Sequence, residues 1–377
     1  REMADEAAKR KDEERGTWLH CAADSCRALG RDDLRETYLE KWAAAGDALA
    51  WQRLGDLAAE AGRWKDAAER YRRGWEKDRA SALLLYLRGR ALVRAGDDKE
   101  GRRWMDVATL IPLGNEQKLA ALAQGLEDHG LNEEAGKVWE RMSRLTLVTS
   151  FFQGSAARGM ADRAAAARNY AGAATWTRRE VLYFLWTPIS GNPEGLLGLV
   201  ATEHRYRALA HVAAGRLEEM RKEVNAALDV APDIEVGIQV VGELAKRGHK
   251  KEADELFARV YGAHDAACKD YPNSGWEHNN AAWLAVRCKR NLDAALGHAR
   301  KAVELDPDMS SHLDTLAEVH FQRGDKEKAV TLEKRCVEMQ PAYEYFRKQV
   351  KRMEAGDRDA ALPPEPTSGS LYRSLEP

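Results

Sequence analysis

His264 and Cys268 lie four residues apart with Asp265 beside them, so on a helix an imidazole and a thiol would share one face. That pair could begin a metal site, but a closed site takes four ligands, and no Cys-x-x-Cys pair supplies the missing two. Cys21 and Cys26, five apart, would not face each other on a helix. Glu218, Glu219 and Glu223 fall close together in a helical pattern, where a solvated acidic face explains them better than an acid/base pair. Gly191, Gly195 and Gly198 make a glycine-rich patch, but no strand pattern precedes it and the spacing is not that of a phosphate loop. Signatures of zinc proteases, serine hydrolases and kinases are absent from the sequence. The expectation is a protein with no catalytic residue, no metal and no cofactor of its own.

Residues suited to binding are easier to find. Arg90 and Arg94 are four apart and would project together beside Tyr86, an arrangement that can grip a carboxylate. Asn279, Asn280 and Arg287 form a second polar group. Trp176, Tyr183, Phe184 and Trp186 concentrate aromatic surface in one stretch, as an interface or subunit contact would.

The elements that must position these residues follow a period of 34. Ala302-Val303-Glu304-Leu305-Asp306-Pro307 recurs as Cys336-Val337-Glu338-Met339-Gln340-Pro341. Ala67, Gly101 and Ala135 repeat at the same interval, as do Gly55, Gly89 and Ala123, and the turn residues Gly62, Gly96 and Gly130. A period of this length fits one helix-turn-helix unit, in which small residues let paired helices approach and a glycine reverses the chain between them.

In Trp51, Leu54, Gly55, Gly62, Ala67 and Tyr71, and again in Leu313, Leu316, Ala317, Gly324 and Ala329, the chain resembles the tetratricopeptide-repeat (TPR) family. The resemblance runs from about residue 17 to 345 and implies an all-α fold, an α-α superhelix of about nine helix pairs. The expected organisation is a charged arm over 1–16, regular repeats over 17–149, irregular repeats with longer helices over 150–234, further repeats and a capping helix over 235–355, and a disordered tail over 356–377. The period slips in two places. In 144–200 the second helix runs on through Trp186 to a break at Thr187–Pro193, and a similar extension follows Phe257 as far as Asp270. In 342–354, Tyr343, Phe346 and Val350 mark the buried face of the cap, with Lys348, Lys351 and Arg352 facing away.

The family resemblance also implies that the first helix of each pair lines a concave groove. Projected onto this chain, that stripe includes Gln52, Asp56, Tyr86, Arg90, Arg94, Gln124, Arg158, Asn280 and Arg287, and further on Leu284, Asp314, Glu318 and Phe321. The implied partner is a protein or peptide. The balance of 59 basic against 61 acidic residues, net charge −2, argues against nucleic acid. No apolar run of 18 residues is present to insert into a membrane. Five cysteines without a framework spacing point to a reducing, cytoplasmic setting. The chain is therefore expected to be a binding scaffold or adaptor. Alternatives are a docking segment of a larger enzyme whose remainder lies before residue 1, and a structural subunit that self-associates.

Overall fold

A computed structural model describes residues 14–28, 30–112, 115–145, 151–186, 193–230, 233–341 and 343–363. All regular structure among them is α-helical, in nineteen helices. These pair in chain order as α1 (Glu14–Ala28) with α2 (Asp32–Ala44), α3 (Ala48–Glu60) with α4 (Trp64–Lys77), α5 (Ala82–Arg94) with α6 (Asp98–Leu110), and α7 (Glu116–Asp128) with α8 (Asn132–Leu145). They continue as α9 (Phe151–Ala166) with α10 (Tyr170–Trp186), α11 (Pro193–Ala213) with α12 (Leu217–Val230), α13 (Ile234–Lys246) with α14 (Lys250–Asp270), α15 (Gly275–Arg287) with α16 (Leu292–Leu305), and α17 (Ser310–Gln322) with α18 (Lys326–Met339). A last helix, α19 (Glu344–Ala355), has no pair among the described residues. The chain divides into two compact units between residues 156 and 157, inside α9.

Local sequence sets where these helices start and stop. Asp47, Ser81, Asn115 and Ser274 each cap a first helix by accepting a hydrogen bond from a backbone N–H two or three residues on, a contact worth about 1 kcal/mol apiece. Gly62, Gly96 and Gly130 end three of those helices with φ between 69° and 97°, a left-handed conformation that side chains resist. In the α9–α10 turn a left-handed residue is also required, and there it is Arg168, at φ 56°.

In the first unit, the 34-residue small positions are the points of closest approach. A Cβ on Gly101 would sit 2.6 Å from the carbonyl oxygen of Gly89, and a Cβ on Gly89 equally close to that of Gly101. The ring of Tyr71 fills the space above Gly55. Ala67, Ala123 and Ala135 are fully buried in the equivalent places.

The second unit holds a continuous apolar core built from Leu209, Val240, Leu244, Phe257 and Leu284 among others. Truncating one such leucine would cost on the order of 2–5 kcal/mol. Three helices of the second unit are longer than the others. α10 has 17 residues, and α11 and α14 have 21 each, against 14 in α12, α16 and α18. The break at 187–192 lies outside the described residues.

The C-terminal cap differs from expectation: of the face Tyr343, Phe346 and Val350, Phe346 is buried and the other two are half-buried. Tyr345, Phe346 and Met353 are buried against α17 and α18, but Arg352 is also buried, 9% exposed, with its guanidinium over the Phe321 ring and bonded to Glu318. Its charge is neutralised by a carboxylate from the preceding repeat, which is why it can turn inward. The tail does not begin at 356: residues 357–363 are held by defined contacts. Residues 1–13 of the expected arm and 364–377 of the expected tail lie outside the described residues.

Candidate functional site: the cavity of the second unit

A cavity of about 790 Å³ opens in the second unit. Its lining comes largely from alternate helices: Tyr206 and Leu209 on α11, Gln239 and Lys246 on α13, Arg287 on α15, Glu318 and Gln322 on α17. These are the first helices of four successive pairs. Each places its apolar face in the core and leaves a polar stripe for the cavity.

A further wall is the chain's own C-terminal segment, from Arg358 to Pro363. Gln322 Nε2 and Lys289 Nζ donate to the backbone carbonyl of Arg358, at 3.0 and 3.1 Å. Arg358 Nη1 donates in return to the backbone carbonyl of Gln322 at 3.0 Å, and Lys289 pairs with Asp359. Ala360, Ala361, Leu362 and Pro363 continue the wall, and the polar bonds to this stretch run to its backbone and to Arg358 and Asp359.

The projected stripe residues are placed as follows. Arg287 lines the cavity, exposed, with its guanidinium 5.1 Å from the Trp283 ring centroid. Asn280 is half-buried on the same helix, while Asn279 is buried with its Oδ1 unpartnered. Arg158 is bonded to Glu180 at 2.6–2.8 Å. Leu284, Asp314, Glu318 and Phe321 are all buried. Leu284 belongs to the core, and α19 covers the other three. Only Glu318 also reaches the cavity wall.

In the first unit, Gln52 is half-buried, and Gln124 bonds Asp128 on its own helix. Tyr86 is 5% exposed, so its ring packs inside rather than facing a ligand. Arg90 is half-buried, and Arg94 is exposed with its guanidinium 5.8 Å from the Trp64 ring centroid. Asp56 accepts from Tyr71 Oη at 2.8 Å and lies 3.0 Å from His129 Nε2, joining α3 to α7 across an intervening repeat. Burial opposes a charge on His129, but the hydrogen bond and charge of Asp56 outweigh it and raise the imidazole pKa.

Around the aromatic stretch, Tyr183 is buried and meets Phe184 edge-on, while Trp176 is half-buried under Arg179. The strongly exposed apolar side chains here are Leu182 and Leu185. The side chain of Trp186 lies outside the described residues.

Bonds at a spacing of 34 recur in both units. Arg70 reaches Glu36 at 2.6 Å, Arg247 donates to the Ala213 carbonyl at 3.3 Å, and Arg259–Asn225 and Arg352–Glu318 have the same separation. Equivalent slots of successive helix pairs are thus bonded to one another, which fixes the repeat length in space as well as in sequence. Both units are TPR-like arrays of paired helices. No family profile matches this chain, and no curated protein matches it. Among solved structures it is similar to a tetratricopeptide repeat protein from Parabacteroides merdae, at 14% identity over 73% of this chain and 99% of that one, TM-score 0.37. It is also similar to yeast Tom70, at 12% identity over 92% and 89%, TM-score 0.31. Values this low leave the assignment to the chain's own repeat register. No described helix is long and apolar enough to cross a membrane.

Proposed function

We propose that this TPR array is a recognition scaffold whose second-unit cavity takes an extended segment of a partner protein. The observation that carries the reading is the chain's own segment along the cavity wall. There an amide and an ammonium grip a backbone carbonyl, while a guanidinium answers to the helix backbone. Side chains that bond a peptide backbone in this way accept many sequences, and neighbouring pockets supply the preference. Tyr206, Arg287 and Lys246 supply that preference here, through an aromatic face and two cations. A partner segment carrying a carboxylate near an apolar side chain suits them best. The role is recognition by a preformed surface, without chemistry of its own.

The test is selection of a random peptide library displayed on phage against the full chain. The reading expects enrichment of acidic, extended sequences whose binding falls about tenfold or more in Arg287→Ala. Arg287 is exposed, so its loss leaves the helical circular dichroism unchanged. Absence of enrichment, or enrichment indifferent to Arg287→Ala and Tyr206→Ala, would remove the cavity from consideration.

A further inference from the structure

The two added turns of α14 end beside a cluster of ligating side chains drawn from three consecutive helices. Cys268 lies in the last turn of α14, His278 in the first turn of α15 and His298 in the middle of α16. One ligating atom of each lies within 4.8 Å of the other two. His264, which the sequence pairs with Cys268, turns instead to Glu277, 3.3 Å away.

The two histidines meet through their Nδ1 atoms, 2.9 Å apart. Their other nitrogens already have acceptors. His278 Nε2 is 3.2 Å from the carbonyl oxygen of Pro272, and His298 Nε2 is 3.4 Å from Asp265 Oδ1. A backbone carbonyl and a carboxylate can only accept, so each Nε2 carries its ring's hydrogen. Each Nδ1 is then left with a lone pair, and the two lone pairs point at one another at hydrogen-bond distance. Neutral imidazoles repel in that arrangement. A proton between them would relieve the repulsion, but it would leave unexplained why the Cys268 sulfur also lies within 4.8 Å of a nitrogen on each ring.

We propose that Cys268, His278 and His298 bind one divalent cation of the zinc class, with a fourth coordination position left to water or an outside ligand. Zn–N bonds of about 2.0–2.1 Å and Zn–S of about 2.3 Å place tetrahedral ligand atoms roughly 3.3–3.7 Å apart. The histidine pair therefore opens by a few tenths of an ångström and the sulfur closes by up to about 1 Å, within reach of side-chain rotation. One thiolate and two imidazoles suit zinc and its neighbours, whereas magnesium and calcium prefer oxygen. Asp265 and Pro272 act as the outer acceptors that fix ring orientation, the usual supports of a histidine ligand. Cys268 is buried, but both histidines are partly exposed, so the cation enters from their side. The metal ties the end of α14 to the next helix pair, which gives its extra length a purpose.

Cobalt(II) is the probe. The full chain, stripped with a chelator and kept reduced, is titrated with Co²⁺. One equivalent is expected to bind, with a thiolate-to-cobalt charge-transfer band and visible bands of tetrahedral intensity, all removed by one equivalent of Zn²⁺. Cys268→Ser should abolish the charge-transfer band, and His298→Ala should weaken binding about tenfold or more. Cys288→Ser, at a buried free cysteine outside the cluster, should change neither. Zn²⁺ should raise the melting midpoint of the unaltered chain but not that of Cys268→Ser. Should Cys268→Ser fail to fold, His278→Gln makes the same comparison. Folded wild-type chain that shows no charge-transfer band overturns the site, whether a shared proton or nothing holds the histidines. A band that survives both Cys268→Ser and His278→Gln overturns it equally.

Discussion

Gly101 and Gly297 both lie inside helices, and the same substitution should move their stabilities in opposite directions. Replacing a mid-helix glycine by alanine removes backbone freedom from the unfolded chain and gains about 0.5–1 kcal/mol when the added methyl meets nothing. Gly297, on α16, has no neighbour within 4 Å of such a methyl, so Gly297→Ala should gain that full amount. At Gly101 the methyl would meet the Gly89 carbonyl oxygen and Val93 Cγ2 at 2.6 Å, and Val93 N at 2.8 Å. Two of these three atoms are backbone and cannot rotate away. Restoring a contact of 3.4 Å requires α6 to withdraw from α5 by roughly 0.8 Å, which loosens every side chain packed along that crossing. Overpacking of this kind costs about 1–3 kcal/mol, and contact with two backbone atoms of α5 places Gly101 in the upper part of that range. After the propensity gain, Gly101→Ala should lose about 1–2 kcal/mol net. Urea denaturation followed by far-ultraviolet circular dichroism reads both variants against the unaltered chain, with the midpoint moving down for one and up for the other. An increase in stability for Gly101→Ala equal to that of Gly297→Ala would refute the close crossing, and with it the reason small residues recur every 34 positions.

Three further outcomes follow from the same geometry. Arg168 holds a left-handed turn that glycines hold elsewhere, so Arg168→Gly should raise stability by about 0.5–1 kcal/mol in thermal melts. Glu333 is fully buried, and burial together with the charge and hydrogen bond of the neighbouring Asp314 pushes its pKa far up. A carboxyl raised in the folded state contributes most below its unfolded value and loses that contribution as pH rises through the raised one, so Glu333→Gln should flatten the alkaline decline in stability, by on the order of 1–3 kcal/mol. His129 is also raised, so its contribution is complete below its ordinary value and fades as pH climbs through the raised one; the stability gap between the unaltered chain and His129→Gln should narrow from mildly acidic to mildly alkaline pH.

Much of the fold was legible because its determinants are local. Glycine at 62, 96 and 130 is demanded by backbone conformation, and small residues at 55, 89 and 101 by helix contact, so a fixed period in sequence maps directly to a fixed period in space. The site was less legible because exposure depends on which neighbour covers a face. A stripe projected by register alone included Tyr86 and Leu284, which pack inward, and Asp314, Glu318 and Phe321, which α19 covers. It omitted Tyr206, Gln239 and Gln322, which face the cavity. The segment 357–363 reads as unstructured because it lacks apolar periodicity, yet hydrogen bonds between side chains and backbone carbonyls hold it, and these leave no trace in periodicity. Cys268, His278 and His298 carry no motif spacing, since their meeting depends on three helices. The available signal was the extension of α14 beyond the repeat length, which delivers Asp265 and Cys268 to that place.

Recognition in the second-unit cavity is tested most directly by photo-crosslinking. A peptide selected on the full chain, carrying a photoreactive residue at its centre, is irradiated in the complex and the modified sites are located by mass spectrometry. Labels are expected on the cavity-facing residues of α11, α13, α15 and α17, Tyr206, Gln239, Arg287 and Gln322 among them, and should fall away when unlabelled peptide competes. Competable labelling confined to any other surface would contradict the account.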